Sequence, residues 1–76
     1  MTKKELADAK SGYIRGVTKV CQMIKQAKFK SANAFYLGMK IASPLSIEDR
    51  WAIEENVIAQ YYINPIEFRE RVREKE

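Results

Sequence analysis

The chain has 76 residues, 46% of them hydrophobic and 32% charged, which bounds it to one domain of ordinary globular composition and excludes disorder for most of its length. It carries no histidine, a single cysteine and a net charge of +4. A zinc set, an internal disulfide and the usual histidine-assisted acid–base or nucleophilic chemistry are therefore excluded.

The first helix is expected to start at Thr2. Thr2 and Glu5 have the spacing of a capping box, in which each side chain satisfies the other's free backbone N–H. Leu6, Tyr13, Ile14, Val17, Val20, Cys21, Ile24 and Ala27 then recur three or four residues apart, one apolar stripe of helical period. Lys10, Arg15, Lys19, Lys25 and Lys28 lie largely off it. Gly12 and Gly16 each cost about 1 kcal/mol relative to Ala in a helix interior, so a break near Ser11-Gly12 is expected, with Ser11 capping the second piece. Cys21 reads as a small buried hydrophobe.

Ser31 is a good N-cap for a short helix over Ala32 to Leu37, with Gly38 suited to its C-terminal cap. Phe35, Ala32 and Met39 are expected to face inward; Asn33, Ala34 and Leu37 lean outward. After Pro44, Ser46 and Asp49 open a further helix that runs to about Tyr62. Its apolar residues, Ile47, Trp51, Ile53, Val57, Ile58, Tyr61 and Tyr62, mark it as the central core helix, with Trp51 in the core. Glu48 and Asp49 favour the dipole of its first turn. Asn64-Pro65-Ile66-Glu67 starts a last helix: Asn caps, Pro takes the first helical position, and Glu stands three after the cap. That helix carries Ile66, Phe68 and Val72. Residues 73–76 read as frayed.

Catalysis is not expected. Gly12 and Gly16 form no phosphate-cradling loop, lacking a preceding strand and a Gly-Lys-Ser/Thr ending. Glu48-Asp49 and Glu54-Glu55 are neighbours in sequence, which a helix points about 100° apart, so both pairs read as solvated surface. Charge distribution is more telling. Residues 1–40 hold nine Lys/Arg against two acids, a net of +7, and residues 41–76 hold five against eight, a net of −3. Such asymmetry suggests a basic face for a polyanion.

Thr18 to Met39 has the outline of a helix-turn-helix: a helix ending near Ile24 or Lys25, a connection over Gln26 to Lys30, and a short helix capped by Ser31. In that motif the second helix enters the major groove while flanking basic residues hold phosphates. Lys25, Lys28, Lys30 and Lys40 would surround it; Ser31 and Asn33 would be its early base readers, since Asn can pair with adenine and Ser accepts several bases.

From Gly16 to Phe68 the chain resembles the DNA-binding domains of phage Cro/CI-type repressors. Phe35-Tyr36-Leu37-Gly38 looks like the end of that family's recognition helix. Ser43-Pro44-Leu45-Ser46 with Trp51-Ala52-Ile53-Glu54 looks like the proline and the helix that follow, and Asn64-Pro65-Ile66-Glu67 falls at the family's last short helix. Where family members carry a turn glycine, this chain reads Lys25-Gln26-Ala27-Lys28. The resemblance implies a small transcriptional regulator that binds double-stranded DNA as a homodimer, with Lys25, Lys28, Lys30, Ser31, Asn33, Ala34, Leu37 and Lys40 on the DNA.

The sequence thus leads to an all-α domain of four to five helices over residues 1–76. No cofactor, metal or membrane is expected. No apolar run reaches the 18 residues of a span, and the start of the chain lacks a secretory apolar stretch, which together favour the cytoplasm. The alternative function is a helical adaptor or inhibitor docking on a protein partner. One exposed patch of Tyr36, Leu37, Tyr61 and Tyr62 would favour that alternative; lysines around an exposed Ser31–Asn33 face would favour DNA.

Overall fold

The computed structural model describes residues 2–72, so the expectation of fraying over 73–76 lies outside the described residues. Four helices follow one another: α1 over Lys3–Lys25, α2 over Phe29–Ala42, α3 over Ile47–Gln60 and α4 over Pro65–Val72. Helix α1 packs against both α2 and α3, while α4 lies mainly on α2 and touches α3. The result is a slab of 37 × 27 × 18 Å, all-α as expected. Among the described residues no helix is long and apolar enough to cross a membrane.

Helix α1 opens with the expected capping box. The Thr2 side chain accepts from the Glu5 backbone N–H at 3.1 Å, and the Thr2 N–H donates to Glu5 Oε1 at 3.2 Å. The expected break at Ser11-Gly12 does not occur; α1 runs unbroken for 23 residues. Two interior glycines cost about 2 kcal/mol together, but Tyr13, Val17, Val20, Cys21 and Ile24 bury one face of the continuous helix, each contributing on the order of 1.5–3 kcal/mol. Packing along the whole stripe outweighs propensity. Gly16 has a further use: a Cβ there would fall 2.1 Å from Met39 Sδ, so its bare backbone lets α2 pass close over α1. Ile14, expected on the stripe, is exposed at its edge.

The turn into α2 differs from the expected one. Ala27 takes the left-handed conformation (φ 60°). The Ala27 N–H donates to the Ile24 carbonyl and the Lys28 N–H to the Met23 carbonyl, the paired bonds of a Schellman ending. Left-handed backbone suits glycine and costs another residue about 1 kcal/mol. The tight turn lets α2 start at Phe29, so Ser31 is an exposed first-turn residue and not the cap; Lys28 is the N-cap, without a side-chain hydrogen bond. Gly38 does not end the helix either. It sits in the interior of α2 with open space around it, and the helix continues to Ala42 to bring Met39 over α1. The α3–α4 corner repeats the Schellman bonds, with Tyr62 left-handed (φ 56°) and the Ile63 N–H on the Ile58 carbonyl.

Helix α3 is capped by Ser46 as expected, its side chain accepting from the Asp49 N–H at 3.2 Å. Asn64 Oδ1 accepts from the Ile66 N–H at 2.8 Å, and Pro65 is the first residue of α4. Two expectations for α3 fail. Trp51 is not core; half its surface is exposed, with Arg69 of α4 over its ring at 5.5 Å. Glu54 is not a solvated acid but a buried one, 6% exposed. The reason is the side from which α1 covers α3: Ile53, Glu54, Val57 and Ile58 face the interior, leaving Ile47 and Trp51 at the rim. Tyr62 and Ile66 are likewise exposed, whereas Phe68 and Val72 anchor α4.

Glu54 earns its place by joining three helices. Its Oε2 accepts the Tyr13 hydroxyl of α1 at 2.5 Å and the Tyr36 hydroxyl of α2 at 2.8 Å. Tyr36 also meets Phe68 of α4 edge-on, ring centroids 5.6 Å apart. Burial, with the Glu54 carboxylate adding to it, pushes both phenols well above the usual tyrosine range.

Candidate nucleic-acid interface

The end of α1, the turn through Ala27 and the first turn of α2 carry three of the nine basic residues of the first half, Lys25, Lys28 and Lys30. Lys25, Lys28, Lys30 and Ser31 are all exposed there. Lys19, Gln22, Met23, Gln26, Lys28 and Ser31 line a shallow depression beside the turn. The N–H groups at the start of α2 have no side-chain acceptor at the cap. Free N–H groups and the positive end of a helix dipole both favour an anion, and the surrounding lysines add full charges.

The other expected site residues divide. Ala34 is exposed on the outer face of α2, and Lys40 is exposed near its end, where its carbonyl accepts from Arg50 Nη1 at 3.2 Å. Asn33 and Leu37, expected to lean outward, are half-buried. The physical reason is their side of the helix. They fall four residues apart and next to Phe29 and Tyr36, which meet Arg71 and Phe68 of α4, so α4 covers that flank. The Asn33 carbonyl oxygen is buried without a hydrogen-bond partner; it is not presented for pairing with a base. Phe35, expected inside, is 37% exposed with Lys19 Nζ 5.5 Å from its ring centroid.

The aromatic residues form no single patch. Tyr36 is tied to Glu54, Leu37 is half-buried, Tyr61 is half-buried and accepts from Gln22 Nε2 at 3.3 Å, and of the four only Tyr62, at 92%, is largely exposed. Two further cations border the basic face: Lys19, which lines the depression beside the turn, and Arg71 of α4, whose guanidinium carbon lies 4.1 Å from the Phe29 ring centroid. The alternation of Glu and Arg in α4 gives no hint of Arg71, because its position depends on how α4 crosses α2.

Among the described residues no group of three or more His, Cys, Asp or Glu is placed to hold a metal ion. Comparison with family models, with curated proteins and with solved structures finds no match.

Proposed function

We propose that this chain works by binding double-stranded DNA, presenting the outer face of α2 to the duplex and the lysines of the α1–α2 turn to its phosphates. The observation that carries this reading is the gathering of exposed Lys25, Lys28 and Lys30 around an α2 start that has no side-chain cap. The charge asymmetry of the sequence and its resemblance to Cro/CI-type repressor domains support it. Ser31 and Ala34 are the exposed candidates for base contacts; Asn33 and Leu37 are withdrawn from that role by their burial. One helix reads few base pairs, so a regulator of this kind acts as a homodimer. A cytoplasmic location goes with this role.

A second reading, an adaptor or inhibitor docked on another protein, draws on the apolar side chains left exposed on the acidic half, chiefly Tyr62, Ile41 and Ile66, with Ile47 and Trp51 about half exposed. The lysine face gives the DNA reading precedence.

The test is binding to a mixed-sequence duplex across a salt series. Three phosphate contacts give a slope of about −2.7 in log affinity against log salt, a loss of roughly fortyfold between 50 and 200 mM. Lys28→Glu/Lys30→Glu is expected to weaken binding further and flatten the slope. Absence of binding at 50 mM salt would overturn the proposal and shift weight to the protein partner.

A further inference from the structure

We propose that Lys19 and Arg71 are paired phosphate clamps on the two flanks of α2, an inference that rests on the DNA-binding reading above. Each is held by one of the helix's own phenylalanines. Lys19, from α1, lies over Phe35, and Arg71, from α4, lies over Phe29. The two rings are six residues apart, hence about 120° apart around the packed side of the helix. The wider arc between them carries Lys30, Ser31, Ala34, Gly38, Lys40 and Ile41, all exposed, with Asn33 and Leu37 half-buried on the side toward α4. The outward face of α2 is therefore edged by a cation from α1 on one flank and a cation from α4 on the other.

That arrangement fits the shape of a duplex. A major groove is about 12 Å wide and admits a helix; the helix then has a phosphate strand on either side. Between the clamps Ser31, Ala34 and Gly38 are small, while Lys30 and Ile41, the latter 82% exposed, project from the same arc, so these two longer side chains meet the groove first. The contact with the ring fixes each cation without neutralising it, because an aromatic ring carries no net charge. A guanidinium over a ring keeps its N–H donors at its rim, where a phosphate can take two of them. Holding the side chains in place beforehand also reduces the entropy lost on binding. Arg71 thereby brings α4 onto the DNA side, although it belongs to the acidic half of the chain.

The experiment measures binding of the whole chain to a fluorescein-labelled mixed-sequence duplex of about 20 base pairs by anisotropy, from 50 to 200 mM salt. With Lys19 and Arg71 added to the three turn lysines, the wild-type slope is expected near −4.5. Lys19→Gln and Arg71→Gln should each flatten it by about 0.9 and weaken binding about five- to tenfold at 100 mM salt. Arg71→Lys, which keeps a charge, should retain the slope. Lys4→Gln, at the far end of α1, should change it little. Circular dichroism melts confirm that the variants are folded. Unchanged slopes in Lys19→Gln and Arg71→Gln, with Lys28→Glu/Lys30→Glu still weakening binding, would overturn the clamps and leave the DNA reading standing. An equal loss in Lys4→Gln would also overturn them, reducing the effect to net charge. Failure of the wild type to bind at 50 mM salt would remove both.

Discussion

Glu54→Ala is expected to cost about 3–4 kcal/mol of folding stability. The carboxylate accepts two buried or half-buried phenols, and a hydrogen bond to a charged group contributes roughly 1.5–3 kcal/mol. Truncation removes both bonds and leaves Tyr13, 3% exposed, with no acceptor. A chain of this size has a total stability of about 4–11 kcal/mol, so much of it would go. Glu54→Gln should cost less, about 1–2 kcal/mol, because it keeps an acceptor oxygen but adds amide donors that need partners. Urea melts followed by circular dichroism measure both. A loss below about 1 kcal/mol in the Ala variant would mean that the phenols find other partners.

The same cluster sets a pH dependence. Both phenols are held above their ordinary value, first by burial and then by hydrogen bonding to Glu54. The unfolded chain releases these protons near pH 10 while the folded chain retains them. Their contribution is therefore fully present below about pH 10 and is lost as the pH rises beyond it. Melts from pH 8 to 11 should show stability falling only at the alkaline end.

Phe68→Ala is expected to be as damaging, at about 3–5 kcal/mol, the usual cost of deleting a buried phenylalanine. Phe68 is 1% exposed and meets Tyr36 edge-on. Helix α4 has eight residues, too few to persist in water unaided. Without Phe68 it keeps Val72 and the two cation–ring contacts, Arg69 on Trp51 and Arg71 on Phe29. The variant should lose helical signal at 222 nm, and trypsin should cut after Arg69 or Arg71 faster than in the wild type. A variant that melts like the wild type would show that α4 is not part of the cooperative core.

The helix starts that depend on local chemistry were legible: Thr2 with Glu5, Ser46 with Asp49, and Asn64-Pro65 all cap as their residue types suggest. So was the buried stripe of α1 from Tyr13 to Ile24. What propensity alone misplaced was punctuation. Gly12, Gly16 and Gly38 look like stops, but the packing of α1 and α2 carries the helices through them. Ala27 does not look like a stop, yet it takes the left-handed turn. Glu54 was hidden because its partners are 41 and 18 residues away in the chain, and nothing local marks a carboxylate that will receive two phenols. For the candidate interface, Lys25, Lys28, Lys30, Ser31, Ala34 and Lys40 are on the surface as expected. Asn33 and Leu37 are drawn in by α4, a helix whose placement no spacing reveals, and the same placement delivers Arg71.

The position of Cys21 has a practical consequence. Its thiol is fully buried on α1, and burial pushes its pKa up to about 11, against a smaller pull downward from Lys25. A thiol-alkylating reagent is therefore excluded twice over: it cannot reach the sulfur, and little of the sulfur is the reactive thiolate at neutral pH. Only a molecule whose core has come apart can be labelled. Because the chain has one cysteine, each label marks one such event, and the labelling rate of the unperturbed protein becomes a clock for how often its centre opens.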